Sequence, residues 1–489
     1  MYNFGHFVPM GGSHNMASFN NGLKRNTLAV ALGLCFAGGV QAQSSVGSIF
    51  GDTTANAAVT IENLDTGTSR QINSDSTGHF TFSQLSPGRY RVTSGGTTRE
   101  VQVKVGTGTQ VNLVAATGGA TTLDTVTVVG SSAINPIDVS SVESTTVFTQ
   151  EQIQALPVGR DITNVALLAP GTVKGDTGFG NLASFGGSSV AENGYYINGF
   201  DVTNIRNFLS YANLPFEAIG QQQVKSGGYG AEYGRSLGGV ISLVTKRGTN
   251  QWKAGGAMYY EPHALRSKGQ NVANREPNAP GEAPEGYTLY QRDDERQRLN
   301  YNVYAGGPII ENKLFVFGLI ETRNNTTDNY GQEFSTEERN RSPNGMLKLD
   351  WNITDNHIVE LTGIYNKSKV KTKLYENAAE YSTSHDGTPT ESVFESGGRV
   401  YIGKYTGYLT DNLTVSAQYG KVENLTGKTI GGDTAAALCP AVYDAPGLVY
   451  RGCWDVNHFT VLDPFAPDNE DTREAGRLDV EWVLGDHTL

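Results

Sequence analysis

The chain has 489 residues, room for two or three domains. Its 60 glycines, 18% charged residues and lack of any apolar run of about eighteen residues exclude a helical membrane bundle; a membrane β-barrel, whose alternating strands look polar on average, stays open. A net charge of −12 argues against nucleic acid as a partner.

Residues 1–42 read as an upstream extension and a secretory signal peptide. Lys24 and Arg25 supply a basic start, Thr27 to Val40 a short apolar core, and Val40-Gln41-Ala42 a small-residue cleavage site. Translation can start at Met1 or at Met16, the latter giving a signal of ordinary length. Cys35 sits in the apolar core and is removed with it. Cys439 and Cys453 remain, fourteen positions apart in an exported chain, and are expected to form a disulfide. No His or Cys cluster accompanies them, so a metal pair is disfavoured.

Residues 44–117 hold short strands separated by Gly, Asp, Asn and Pro, with turns at Asp75-Ser76-Thr77-Gly78 and Ser86-Pro87-Gly88. That pattern predicts a small β-sandwich. "DSTGHFTFSQLSPGRYRV" at its centre resembles the carboxypeptidase regulatory-like domain. The resemblance implies no peptidase, since His79 is the only histidine of the segment.

Residues 118–138 form a small-residue leash around "LDTVTVVG". Thr125, Thr127 and Val129 alternate with Val126 and Val128 as in a strand, but no hairpin partner is adjacent. Two uses are open to such a strand. It can add to a partner's sheet edge by β-augmentation, or dock on its own sandwich.

Residues 139–248 read as a glycine-rich α+β unit. Thr149 and Gln152 form a capping box for a short helix closed by Pro157, and "DITNVALLAPG" gives a second helix. "NGYYINGFDV", "EAIGQQQVKSG" and "GGVISLVTK" read as strands.

Residues 249–489 alternate with period two. Strands are expected near 251–262, 296–307, 313–323, 344–353, 357–366, 399–409, 413–424 and 475–485. Leu347, Leu349 and Trp351 oppose Lys348, Asp350 and Asn352, and Leu478, Val480 and Trp482 oppose Arg477, Asp479 and Glu481. Connections alternate between short turns such as "PIIEN" and "TDN" and long loops at 263–295, 324–343, 367–398 and 425–474. One apolar face, one polar face and alternating loop lengths predict a transmembrane β-barrel. Trp252, Trp351 and Trp482 all fall at the short-turn side, as an aromatic girdle requires.

No HExxH, GxSxG or phosphate-binding loop occurs. "GFGNLA" has no strand before it, and His263, His357, His385, His458 and His487 are dispersed. An enzyme is therefore not expected, and no cofactor or metal is assigned.

The order of segments resembles a TonB-dependent outer-membrane receptor of the Oar-like kind. "PFEAIGQQQVKSGGYGAEYGRSLGGVISLVTKRGTN" looks like the end of that family's plug domain, with Tyr233-Gly234 and Gly238-Gly239-Val240 matching its pattern. "AGGPIIENKLFVFG" looks like its early barrel hairpin. The resemblance implies an outer-membrane location in a Gram-negative bacterium, with the N-terminal domain in the periplasm and the long loops outside. It makes Asp124, Thr125, Val126, Thr127 and Val128 a TonB box, which pairs with TonB and its inner-membrane energising complex. The lipid bilayer is the second partner and an unidentified solute the third; the Oar-like kind points to a peptide or oligosaccharide. Tyr195, Tyr196, Phe208 and Tyr211 in the plug, and Tyr287, Tyr290 and Trp454 in the loops, are candidate solute contacts. The expected fold is mainly β: sandwich, α+β plug, then about eight antiparallel strands. A barrel able to hold a plug has about twenty-two strands, more than residues 249–489 can supply, so the sequence is expected to be the N-terminal part of a longer receptor. Import competes with two other roles, a surface adhesion protein anchored by its barrel and a signalling receptor without transport.

Overall fold

The computed structural model describes residues 45–114, 143–176, 179–206, 208–209, 211–275, 285–430, 441–444, 449–455, 458–460, 469–484 and 487–488. The expected signal segment, residues 124–128 and Cys439 lie outside the described residues.

The first unit is a two-sheet sandwich. Strands β1 (Gly47–Asp52), β2 (Ala58–Asn63), β3 (Ser69–Asn73), β4 (His79–Leu85), β5 (Gly88–Ser94), β6 (Thr97–Val103) and β7 (Gly108–Asn112) pair in the orders β4-β1-β7 and β3-β2-β5-β6. Inward positions alternate along β1, β2 and β4, so Ile49, Val59, Ile61, Phe80, Phe82 and Val92 meet between the sheets. Each such side chain contributes about 1.5–3 kcal/mol on burial. Asp75 closes the turn before β4 by accepting from the backbone N–H of Thr77 and His79.

The second unit is a five-stranded sheet in the order β12-β11-β14-β13-β8. Its strands are β8 (Ser144–Thr149), β11 (Gly194–Ile197), β12 (Phe200–Asp201), β13 (Ile219–Gly227) and β14 (Val240–Thr245), with β9 (Thr172–Lys174) and β10 (Ala183–Phe185) as a separate pair. The helix Gln150–Ala155 starts at Thr149, whose N–H donates to the Gln152 side chain at 2.9 Å. The helix Ile162–Ala166 starts at Asp161, which accepts from Asn164 N–H. The stretch "NGYYINGFDV" is not one strand but a hairpin. Asn198 and Gly199, at φ 49° and 81°, make the two-residue turn between β11 and β12.

The third unit is an antiparallel sheet. Its strands follow after β15 (Lys253–Glu261), β16 (Val272–Ala273) and β17 (Tyr287–Leu289): β18 (Glu295–Ile310), β19 (Leu314–Tyr330), β20 (Phe334–Asn340), β21 (Pro343–Thr354), β22 (His357–Tyr365), β23 (Ser368–Glu376), β24 (Thr390–Tyr408) and β25 (Leu413–Ile430). Then come β26 (Ala441–Asp444), β27 (Val449–Asp455), β28 (His458–Thr460), β29 (Asn469–Leu484) and β30 (His487–Thr488). Among the described residues, β15-β18-β19-β21-β22-β24-β25-β29 run as an up-and-down meander.

Two of the stretches expected as long loops are instead mostly strand. Residues 324–343 and 367–398 continue the sheet, β20 and β23 pairing with each other between the extended ends of β19 and β24. β20 is almost wholly polar, so hydrophobic patterning did not reveal it, whereas in β23 the alternation of Val370 and Leu374 with Lys369, Lys371 and Lys373 was overlooked in a lysine-rich stretch.

The sheet is inside-out. Tyr301, Val303, Ile320, Leu347, Leu361, Tyr401, Leu478 and Val480 are exposed, whereas Asn302, Lys348, Asp350, Asn352, Thr362 and Thr406 are buried. An apolar outer band over a polar interior fits strands that face lipid on one side and a filled lumen on the other. Trp252, Trp351 and Trp482 are exposed toward the short-turn rim.

Candidate functional site

The α+β unit sits against the inward face of the barrel sheet; polar side chains join the two around an apolar patch in which Ile241 and Leu243 of β14 share one buried cluster with Phe317, Met346, Ile364 and Val400 of the barrel. Asn198, forced into a left-handed conformation by its turn, accepts from Thr245 N–H at 3.0 Å through Oδ1. Its Nδ2 donates to Thr245 Oγ1 at 3.0 Å and to Thr362 Oγ1 of β22 at 3.1 Å. Its carbonyl accepts from Gln418 Nε2 of β25 at 2.8 Å. One Asn therefore holds two plug strands together and fastens them to two barrel strands.

A charged tetrad lies where the α+β unit runs into the barrel. Arg247 Nη2 is 2.7 Å from Asp350 Oδ1 and 3.1 Å from Glu360 Oε1. Lys348 Nζ is 3.6 Å from Asp350 and 3.3 Å from Glu360. Period two places Lys348 and Asp350 on one face of β21, and pairing with β22 brings Asp350 level with Glu360. Within the tetrad two cations match two carboxylates, and Lys404 adds a further buried cation near Glu360. Burial works against the Arg247 charge, but Asp350 and Glu360 outweigh it and hold the guanidinium above its usual value. Neighbouring Lys246 lies 5.3 Å from the Tyr304 ring. Burial, with Arg160 nearby, pushes its ammonium down to about 8.

Further ties ring the unit. Arg206 makes a two-pronged contact with Asp471 of β29 at 2.8 and 2.9 Å, and Arg473 of the same strand pairs with Asp201. Tyr259 of β15 donates to the buried Glu217 at 2.8 Å. Arg160, paired with Glu217, lies 4.0 Å over the Tyr259 ring. Such contacts fix position strongly, yet water can replace them.

Sequence reasoning singled out other residues. Tyr233 is buried and meets Tyr196 edge-to-face at 5.3 Å, with Lys225 Nζ 5.1 Å from its ring. Gly234 is exposed in the following turn. A Cβ on Gly238 would fall 2.7 Å from Asn193 Oδ1, and one on Gly239 would fall 2.3 Å from the Phe185 ring; Val240 is fully buried beside them. The glycine pair thus lets β14 start against Asn193, whose Nδ2 donates to Ala183 carbonyl at 2.7 Å.

The candidate solute contacts divide. Tyr195 is 1% exposed and stacks on Tyr211 at 4.3 Å; burial pushes its phenol up to about 12. Tyr196 is equally enclosed. As placed, Tyr195 and Tyr196 build the core of the unit and offer no face to a solute, because β11 runs buried between β12 and β14. Tyr211 is half-buried. Phe208, in a left-handed conformation at φ 59°, carries Arg235 4.0 Å over its ring. Tyr287, Tyr290 and Tyr381 form a ring cluster at 4.7–5.5 Å beyond the sheet. For Trp454 and Cys453 the structure describes backbone only, in β27; with Cys439 outside the described residues, the disulfide stays an expectation. Sequence reasoning missed Asn198, Asn193 and Arg247. The Asn-Gly pair was the available signal for the first.

Two family models match. Residues 45–127 match the carboxypeptidase regulatory-like domain and residues 137–240 the TonB-dependent receptor plug domain. The chain thus carries a carboxypeptidase regulatory-like domain followed by a TonB-dependent receptor plug domain. A curated relative, the TonB-dependent transporter Oar of Myxococcus xanthus, is 26% identical over 322 residues, covering 61% of this chain and 28% of its own length. Among solved structures, the siderophore receptor PirA from Acinetobacter baumannii is similar at 18% identity and TM-score 0.40, covering 70% of this chain and 45% of its own. The outer membrane transporter YddB from Escherichia coli is similar at 14% identity and TM-score 0.36, covering 58% and 48%. The chain thus spans under half the length of these relatives. By name the first is a TonB-dependent transporter, the second a siderophore receptor and the third an outer membrane transporter.

Proposed function

We propose that this receptor chain serves TonB-dependent import of a solute across the outer membrane. In this reading the sandwich faces the periplasm, the long-loop end faces outward, and Asp124, Thr125, Val126, Thr127 and Val128 are the segment TonB engages. One observation carries the proposal: a plug sheet seated against the inward face of an inside-out barrel sheet, held by polar ties around a shared apolar patch. A purely structural anchor has no need of a plug, and a plug whose ties to the wall include many ion pairs and hydrogen bonds can exchange those for water when it is pulled. The box lies between two folded anchors, β7 ending at Asn112 and β8 starting at Ser144, so a pull on it reaches both domains. Solute contact falls to Phe208, Tyr211, Trp454 and the Tyr287 cluster, with Tyr195 and Tyr196 behind them.

The test needs no identified solute. A peptide of residues 118–132 should bind the periplasmic domain of TonB from the same organism, and the Val126→Pro peptide should not, since proline removes a ladder donor. In cells, Val126→Pro should abolish growth on a peptide or oligosaccharide mixture that supports the wild type. Equal TonB binding by both peptides would remove the box assignment. Normal growth of the mutant would favour adhesion.

A further inference from the structure

The sandwich does not hang free on its leash. It is seated on the short-turn rim beneath the plug. The turn between β6 and β7 carries Val105, which is 0% exposed and packs with Val147 and Val244 of the plug. Its N–H donates to Gln221 Oε1 at 2.8 Å, and its carbonyl accepts from Gln223 Nε2 at 3.2 Å. Gly106 follows at φ +60°, and a Cβ there would fall 2.2 Å from Gln223 Nε2. The plug thus grips the backbone of an inserted knob that only a glycine-bearing turn can deliver.

A second set of contacts reaches the barrel rim. Arg70 lies 3.5 Å over the Tyr408 ring. Tyr408 donates to Gln84 carbonyl at 2.8 Å, and Gln84 Nε2 donates to Glu481 at 3.1 Å. Gln84 sits at φ 55° where the β1–β4 register slips, a strained bulge that turns its backbone and its side chain to the rim. Asn352 donates to Thr68 at 2.7 Å, and Asn250 N–H donates to Asp65 carbonyl at 2.8 Å. Apart from Val105 these contacts are polar, as in domain interfaces that open and close.

Between sandwich, plug and barrel wall lies a cavity of about 590 Å³. Ser45 and Gln102 line it from the sandwich, Gln221 and Lys246 from the plug, and Lys348 and Lys404 from the barrel.

We infer that the sandwich is a periplasmic gate: docked, it floors this chamber beneath the plug, and it must undock before a solute can leave. The inference rests on the import reading for its direction of flow. The leash joins the gate to the plug, so one pull on residues 124–128 loads both closures.

The test uses the complete receptor in outer-membrane fragments and a small sulfonated maleimide as probe. The probe reports on Lys246→Cys, read from the mass of the peptide carrying position 246. With the sandwich docked, labelling should be slow. Val105→Asp, which places a carboxylate in the apolar socket, should speed it at least about tenfold. Tyr408→Phe, which leaves both domains' cores intact, should speed it about threefold by removing one rim hydrogen bond. Gly67→Cys with Asn312→Cys should form a crosslink, since a Cβ at Gly67 falls 3.1 Å from Asn312 Cγ. The crosslink should keep labelling slow even with Val105→Asp, and dithiothreitol should release it. Labelling equally fast in docked, crosslinked and Val105→Asp receptors overturns the gate. So does an unchanged rate in both loosened variants. A Val126→Pro receptor that still imports refutes the box while leaving these labelling rates untouched, so the two readings fail separately.

Discussion

Replacing Arg247 by Met should loosen the plug by about 3 kcal/mol. The substitution leaves Lys348 facing both Asp350 and Glu360, so one carboxylate charge loses its counterpart. Removing one member of a buried ion pair costs about 3–5 kcal/mol. Asp350 is nearly inaccessible, but Arg247 and Glu360 keep some solvent contact and Lys348 still reaches both acids, which puts the value at the low end. Three kcal/mol is about a 150-fold rise in the open population. Maleimide labelling of Val400→Cys, a barrel-wall position buried in the cluster shared with the plug, reads that rise directly, because it is freed when the plug leaves the wall. Adding Glu360→Gln restores the balance between Lys348 and Asp350 and should recover about half the loss. A change below about threefold in Arg247→Met, or a double mutant looser than the single, would show that the tetrad does not anchor the plug.

Three further outcomes follow from the same geometry. Gly239→Ala should cost about 1–3 kcal/mol in a thermal melt, since its Cβ would collide with the Phe185 ring; an unchanged melt means that ring has room to move. Asn198→Ala should lower the urea midpoint by an amount worth about 2–3 kcal/mol, because Thr245 N–H loses its acceptor and Ala must hold a left-handed backbone; a loss under about 0.5 kcal/mol would dismiss the pivot. Lys246, held at about 8 when folded against about 10.4 unfolded, binds fewer protons folded than unfolded between those values, so stability should rise with pH across that window. The rise should vanish in Lys246→Met, and its persistence there would assign it to another group.

Period two is a local property, and the sequence alone determined what depends on it. The faces of β21 and β29, the three rim tryptophans and the inside-out sheet follow from which residues alternate, because a strand exposes successive side chains to opposite sides whatever lies beyond. The capped start of the helix at Gln150 was legible for the same reason, being settled within four residues. Where β20 is polar on nearly every position there was no contrast to read, and strand passed for loop; the Val370 and Leu374 alternation of β23 was readable and missed. The Asn198-Gly199 turn was written in the sequence and overlooked inside a longer apolar stretch. Tertiary structure decided the rest. Tyr195 and Phe208 look alike as candidate solute contacts; only the placing of β11 between β12 and β14 buries the first. Lys348 and Asp350 were legible as inward-facing, but that Arg247, about a hundred residues earlier, lands between Asp350 and Glu360 depends on how the plug seats. Val105 reads as one more sandwich valine and becomes a knob only because the plug presents two glutamines to its backbone. Contacts between remote segments carry no periodic trace, since each partner is chosen by the fold and not by its neighbours in the chain.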